Sequence, residues 1–171
     1  MKPRTRHVRG FTLVELLLYI ALTTIMVGTT SVFLFLTLQV RIKNQIINEV
    51  EQQGQQAMQR ITQVVRNAVT LTSPSIGASG SSVTLTVTPP GNSSTVFDLS
   101  AGVLRIAEGA GSPVALTNAR VTASALTFTN TSRSAASEDL RVQFTLTSVN
   151  SSGRNEYDFT KTFTTTAHVR P

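Results

Sequence analysis

Glu15 is a lone carboxylate near the start of a long apolar segment, FTLVELLLYIAL. An unpaired carboxylate at the centre of a membrane helix costs about 2.5 to 3.5 kcal/mol, so such a residue marks a functional position by default. The alternative is that Glu15 lies near the membrane surface and extends its carboxylate into water. Its position alone leaves both interpretations open.

A cut between Gly10 and Phe11 would supply Glu15 with a partner. The cut creates a new ammonium group on Phe11, four residues before Glu15, and residues at that spacing share one face of a helix. Opposite charges attract most strongly where the dielectric constant is low. The carboxylate would then pair with the amine of its own chain or with that of a neighbouring chain in an assembly.

The segment that positions these residues has the features of a membrane anchor. Residues Leu16 to Val40 include no charged side chain, and this run exceeds the roughly 20 residues that cross a bilayer as a helix. No cleavage site of small residues follows it, so ordinary signal-peptide cleavage is disfavoured. The preceding leader, 1–10, is basic and contains no acid, which predicts a cytoplasmic N-terminus and a C-terminal part outside.

The stretch from Gly10 to Leu17, after a basic leader and before an apolar run, resembles the processing motif of type IV prepilins and type II secretion pseudopilins. The resemblance implies that Gly10 precedes the scissile bond and that Phe11 becomes the first mature residue, with an N-methylated amine. It also implies that Glu15 is needed for subunit docking and efficient methylation. The peptidase would be a separate membrane aspartyl enzyme, so this chain is its substrate.

This sequence departs from many major pilins at two points. It has Val32 where they carry a proline, and it has no cysteine for a C-terminal disulfide. Gly28 and the hydroxyl residues after it could still loosen the helix locally, because glycine and hydroxyl residues weaken or bend a helix. Small residues tolerated in any membrane helix explain Gly28 equally well.

After the apolar run, residues 41–72 are predicted to continue the same helix with one apolar face, because apolar residues recur every three or four positions. We expect the helix to run from about Thr12 to about Leu71 and to stop before Ser73-Pro74. The apolar row contains Gly54 and is crowded by glutamines. Packing against a sheet is therefore favoured over a coiled-coil stalk.

Residues 73–171 are predicted to form a β-rich head of five to seven strands, after a flexible connector at 75–81. Alternating apolar residues and turn signals give the predicted elements: a strand at 82–88, a turn at 89–92, a hairpin at 95–106, and strands at 121–130, 140–149 and 157–167. The expected fold class is α+β, a long N-terminal helix packed on an antiparallel β-sheet, as in pilins.

No catalytic or cofactor constellation is found in the sequence. His7 and His168 lie at opposite ends of the chain, and His168 is expected at the surface. Glu156 and Asp158 flank Tyr157 in a predicted strand, but their spacing matches no calcium loop. No serine-nucleophile motif is present, and the glycines at 109–111 indicate a turn. We therefore predict no enzyme activity, no cofactor and no metal site.

Two glycan acceptor patterns occur, at Asn92 and Asn130, in Thr/Ser-rich sequence where such matches arise by chance. The net charge of +6 falls to +2 once the four basic residues of the leader are removed. The remaining basic residues are scattered, which disfavours specific nucleic-acid binding, and DNA is kept only as an unsupported partner.

The sequence predicts a structural subunit, a minor pilin or pseudopilin of a type IV pilus-like or type II secretion filament. Its expected partners are the prepilin peptidase, other pilins or pseudopilins, an inner-membrane assembly platform and membrane lipid. The expected location is the cytoplasmic (inner) membrane as a single-pass protein, followed by an extracytoplasmic filament or the cell surface. The alternative is a single-span, membrane-anchored surface binding module whose N-terminus is not cleaved; an anchored hydrolase has no supporting residues.

Overall fold

The computed structural model describes residues 10–88, 94–134 and 137–170. The chain divides into two compact units, one ending at Arg41 and the other beginning at Ile42. Helix α1 extends from Leu13 to Arg66 and so contributes residues to both units. The predicted single long helix is confirmed over this range.

The second unit contains two antiparallel sheets. The strands are β1 (Ala68–Ser73), β2 (Ser79–Gly80), β3 (Val83–Val87), β4 (Thr95–Ser100), β5 (Val103–Ala107), β6 (Val114–Ala115), β7 (Val121–Asn130), β8 (Asp139–Ser148) and β9 (Thr160–His168). One sheet has the order β1-β3-β4-β5-β6, and the other has the order β2-β7-β8-β9. A short 3-10 turn at Asn155–Tyr157 precedes β9.

The residues of α1 within the second unit pack on this β-structure through one apolar face. The buried positions recur at helical spacing and are Val50, Gly54, Ala57, Ile61, Val64 and Val65. Fully burying a side chain of valine or isoleucine size contributes about 1.5–3 kcal/mol, so this face is the main attachment of the helix. The predicted α+β, pilin-like class with a helix packed on antiparallel sheets is confirmed.

Gly54 allows the helix to approach β9 closely. A Cβ atom at this position would lie 2.5 Å from Cε1 of Phe163 and closer still to two other atoms of the same ring. The Phe163 ring stacks on Phe144 with the centroids 5.5 Å apart. The glycine that weakened the coiled-coil interpretation therefore has a packing role: it makes room for an aromatic ring.

Polar contacts flank the apolar face of the helix. On one side, the Glu49 carboxylate accepts hydrogen bonds from Asn118 and Arg120, at 3.1 and 3.3 Å. On the other, Lys161 donates to Glu51 at 2.6 Å. Exposed ion pairs contribute between 0 and about 1 kcal/mol each. These contacts therefore help to orient the helix, whereas the apolar burial stabilises it.

The predicted end of the helix near Leu71 is wrong, because the helix ends at Arg66 and β1 follows. Ala68 and Leu71 are buried at a spacing of three residues, which looks helical in the sequence. In the structure this spacing arises from register shifts where β1 pairs with β3, since each bulge adds a residue to one strand. The β-branched residues between them suit a strand.

Other boundaries differ locally from the predictions. The strand predicted at 157–167 begins only at Thr160, and the connector predicted at 75–81 contains the short strand β2. The described residues hold nine strands, more than the five to seven expected. The hairpin predicted at 95–106 is confirmed by β4 and β5, joined at Ala101 and Gly102, which both have positive φ. The turn predicted at 89–92 lies outside the described residues.

Candidate processing and assembly site

Thr12 caps the N-terminus of α1. The backbone N–H of Glu15 donates to Oγ1 of Thr12 at 3.3 Å, and the N–H of Leu16 donates to the Thr12 carbonyl at 3.2 Å. A threonine followed three residues later by glutamate is the sequence signature of a capping box. This role of Thr12 was not predicted, although the spacing of Thr12 and Glu15 is visible in the sequence. The cap fixes the first helical residue as Leu13.

Gly10 and Phe11 therefore lie before the helix, outside its hydrogen-bonded turns. Both are exposed, and a Cβ atom built on Gly10 meets nothing within 4 Å. The Phe11 ring is 75% exposed and packs edge-on against Tyr19, with the centroids 6.2 Å apart. The peptide bond between Gly10 and Phe11 is thus accessible in non-helical backbone.

Glu15 lies in the first turn of α1 and is exposed. Among the described residues it forms no ion pair. The N-terminus of a helix carries a partial positive charge that favours a nearby carboxylate. A second source of positive charge, an amine created at Phe11, would arise less than two helical turns away. The structure thus places the three predicted site residues together around one helix start.

The helix surface that follows this site is apolar and exposed. An 18-residue window of α1 has a mean hydropathy of 1.9, and none of it is buried. The large apolar side chains from Leu13 to Val40 are between half and three-quarters exposed. A continuous apolar surface of this kind needs lipid or other apolar helices around it, and its length suffices to span a membrane.

The serine and threonine hydroxyls on this surface are hydrogen-bonded to the helix itself. Each donates to the carbonyl four residues earlier at 2.8–3.1 Å; they are Thr23, Thr24, Thr29, Thr30, Ser31 and Thr37. The helix stays continuous through Gly28 and the residues after it. The loosening expected at Gly28 is therefore not seen in this structure.

The structure does not bring together the other singled-out residues that lie within its described part. His168 is exposed, as predicted, and its Nδ1 lies 3.0 Å from a carboxylate oxygen of Asp139. The predicted strand pair of Glu156 and Asp158 is wrong, because Glu156 lies in the 3-10 turn and pairs with Arg154. The glycines at 109–111 form the predicted turn. His7 lies outside the described residues.

The side chain of Lys43 holds the loop before β9. The Lys43 ammonium donates to the carbonyl oxygens of Asn155, at 3.3 Å, and Asp158. The Asp158 carboxylate accepts from the side-chain amide of Asn150 at 2.7 Å. No cluster of three potential metal-ligating side chains is found among the described residues. The positive charge beside these two carbonyl oxygens is therefore supplied by the lysine itself.

The structure describes only one of the two glycan acceptor asparagines, Asn130. Asn130 is 3% exposed, and its amide donates to the carbonyl of Pro74 at 2.8 Å. It is therefore inaccessible to a glycosyl transferase in the folded protein. The pattern at Asn92 lies outside the described residues.

Comparison with known proteins gives one match. Residues 5–31 match the family model for the prokaryotic N-terminal methylation motif, which includes all three predicted site residues. No curated protein matches the chain, and no solved structure matches it. The matched motif supports a pilin- or pseudopilin-like precursor, and it implies processing by prepilin peptidase and assembly with other pilins. The N-terminal segment of the chain therefore carries the type IV prepilin-type signal.

Proposed function

We propose that this chain is a minor pilin or pseudopilin, a non-catalytic subunit that enters a membrane-anchored helical filament after its leader is removed. The observation that carries the proposal is the juxtaposition at the start of α1. An accessible Gly10–Phe11 bond lies directly before a capped helix whose first turn contains Glu15 and whose next turns are apolar and exposed.

The proposed mechanism has two steps. A prepilin peptidase at the cytoplasmic face cuts after Gly10, and the Phe11 amine is N-methylated. The apolar helices then bundle, and Glu15 neutralises an amine within the apolar filament core. Because unpaired charges are costly in that setting, this pairing sets the register of an otherwise uniform apolar surface.

Intact-mass measurement and N-terminal sequencing test the first step. The protein is isolated from membranes with and without a co-expressed prepilin peptidase. We expect an N-terminus at Phe11 that depends on the peptidase and is heavier by one methyl group. A retained leader under both conditions would contradict the proposal and favour the uncleaved, single-span binding module.

A matched pair of glycine substitutions separates recognition from folding. Gly10→Leu should abolish processing, whereas Gly28→Ala should leave it intact. A Cβ atom at either position meets nothing within 4 Å, so neither substitution creates a clash at Cβ. Normal cleavage of Gly10→Leu would show that this glycine is not read by the peptidase.

Substitution of Glu15 tests the second step. Glu15→Gln keeps the size of the side chain and removes its charge, so the membrane anchor should remain while incorporation into filaments falls. The measurement is the ratio of processed protein in sheared filaments to that in membranes. Normal incorporation of both Glu15→Gln and Glu15→Ala would refute the pairing.

A further inference from the structure

The outer edge of β9 is a long, regular sheet edge that the fold leaves open. The described part of the protein has four sheet edges, formed by β1, β6, β2 and β9. Strands β2 and β6 are two residues long, and β1 has two register shifts. Short length and bulges are features that keep an edge from pairing with another chain. Strand β9 has neither, because its nine residues pair with β8 in unbroken register.

The register shows which backbone groups of β9 face outward. At the two ends of the pairing, Ser148 donates its N–H to the Phe159 carbonyl and Val169 donates to that of Glu138, both at 2.9 Å. Hydrogen-bonded pairs alternate along an antiparallel ladder. The residues whose backbone groups point away from β8 are therefore Thr160, Thr162, Thr164, Thr166 and His168. All five are exposed, so this edge presents about ten backbone hydrogen-bonding groups.

The side chains along this edge fit an uncharged partner strand. The outward-facing row is mostly threonine, and β9 already pairs in this way with β8: the hydroxyls of Thr145 and Thr162 are 2.8 Å apart. The two basic residues of the strand are already engaged, Lys161 with Glu51 and His168 with Asp139. On the inner side, Phe163 is only partly buried. A partner with polar, uncharged residues on one side and apolar residues on the other would match both.

A second copy of this chain does not suit this edge. Lys43 contacts Asp158, and Gly54 lies against Phe163, so residues 43–54 of α1 and strand β9 run in the same direction. Two β9 edges paired antiparallel would point their second units in opposite directions. Copies related by the helical symmetry of one filament share one direction, so two β9 edges of such copies do not pair. The other edges that the structure describes for a second copy are short or bulged, which favours a partner strand from a different protein.

We propose that β9 accepts an extended, uncharged strand from a different subunit of the filament, which adds to the sheet beside β9. This inference rests on the proposed function, because it takes the partner to be another filament subunit. In strand addition, main-chain hydrogen bonds supply the affinity and alternate side chains supply the specificity. The interaction involves the second unit alone and so acts in addition to the bundling of N-terminal helices.

Two lysine substitutions on one face of the sheet test the proposal. Thr164→Lys places a charge on the open edge, and charged side chains at an edge oppose pairing. Gln143→Lys adds the same charge to the same face one strand further in, where Gln143 pairs with Thr164. We expect Thr164→Lys to lower incorporation into filaments by about tenfold and Gln143→Lys to leave it unchanged. Equal incorporation of the two variants and the wild type would overturn the proposal.

Hydrogen exchange gives an independent readout in the unmodified protein. In detergent micelles, the outward amides of β9 should exchange quickly, because no described residue accepts from them. In isolated filaments the same amides should be protected at least about tenfold, as expected for ladder hydrogen bonds. Unchanged exchange of these amides in the filament would refute strand addition.

The remaining controls separate this proposal from the others. The chain has no cysteine, so Thr164→Cys introduces a single thiol at the edge. A disulfide-linked dimer of this variant in oxidised filaments would identify a second copy as the occupant and overturn our choice of partner. If the processed wild-type chain enters no filament, the proposed function fails. If Thr164→Lys enters filaments as well as wild type does, only the strand-addition proposal fails.

Discussion

Substitution of Gly54 by alanine is expected to destabilise the head, although alanine favours helices. In an open helix the change would gain about 1 kcal/mol. Here the new methyl group would lie 2.5 Å or less from three atoms of the Phe163 ring, whereas carbon atoms prefer separations of about 3.5–4.0 Å. Either the ring or the helix must therefore move by about 1 Å or more.

The surroundings of Phe163 decide the size of the effect. Its ring is stacked on Phe144, which is fully buried, so it cannot move further into the core. Overpacking of this kind costs about 1–3 kcal/mol, and we expect the upper end of that range. After the gain in helix propensity, the net loss is about 2 kcal/mol. For a unit of this size that lowers the Tm by about 5–10 °C.

The assay is urea unfolding of the full chain in detergent micelles, followed by the strand signal in circular dichroism. Gly28→Ala is the control, because a methyl group there meets nothing within 4 Å. Combining Gly54→Ala with Phe163→Leu should recover about 1 kcal/mol relative to additivity, since the two residues are in contact. A Gly54→Ala protein as stable as the wild type would refute the argument that close approach requires glycine.

Three further predictions concern hydrogen bonds described above. Thr12→Val should remove the helix cap at a cost of about 1 kcal/mol and speed amide exchange in the first turn of α1, whereas Thr12→Ser should restore both. Lys43→Met should accelerate amide exchange in the loop before β9, while Arg41→Met should not; equal rates in both variants would contradict the role of the ammonium. Asn130→Ala should lower the free energy of unfolding by about 1–3 kcal/mol, because it leaves the Pro74 carbonyl without its donor; a loss below about 0.5 kcal/mol would count against that contact.

The N-terminal site could be predicted from the sequence because its parts lie within a few consecutive residues. Phe11 and Glu15 are four residues apart, and residues at that spacing share one face of a helix, so their proximity can be predicted without tertiary contacts. The strands with strict alternation, such as β3 and β8, were also visible, since one face of each is more deeply buried than the other. Patterns of this kind depend only on the period at which apolar residues recur along the sequence.

The remaining features depend on tertiary contacts that no local pattern reveals. Strand β1 was taken for helix because its bulges produce a spacing of three between Ala68 and Leu71. The pattern of the segment before β9 predicts a strand, but Lys43 holds this segment in a compact loop instead. Gly54 was recognised as unusual in an apolar row, yet only the position of Phe163 explains it. In each case the partner is distant in sequence.

The self-bonded hydroxyls of α1 bear on how a membrane helix can become part of a filament. Each of these six side chains donates a hydrogen bond to its own helix. The helix therefore presents the same largely apolar surface to lipid and to protein neighbours, with these hydroxyls already hydrogen-bonded. Moving it from one apolar environment to another need not make or break any of these hydrogen bonds. The transfer is then nearly neutral for these hydroxyls, and under the proposed assembly Glu15 is the residue whose free energy is expected to change most between the two environments.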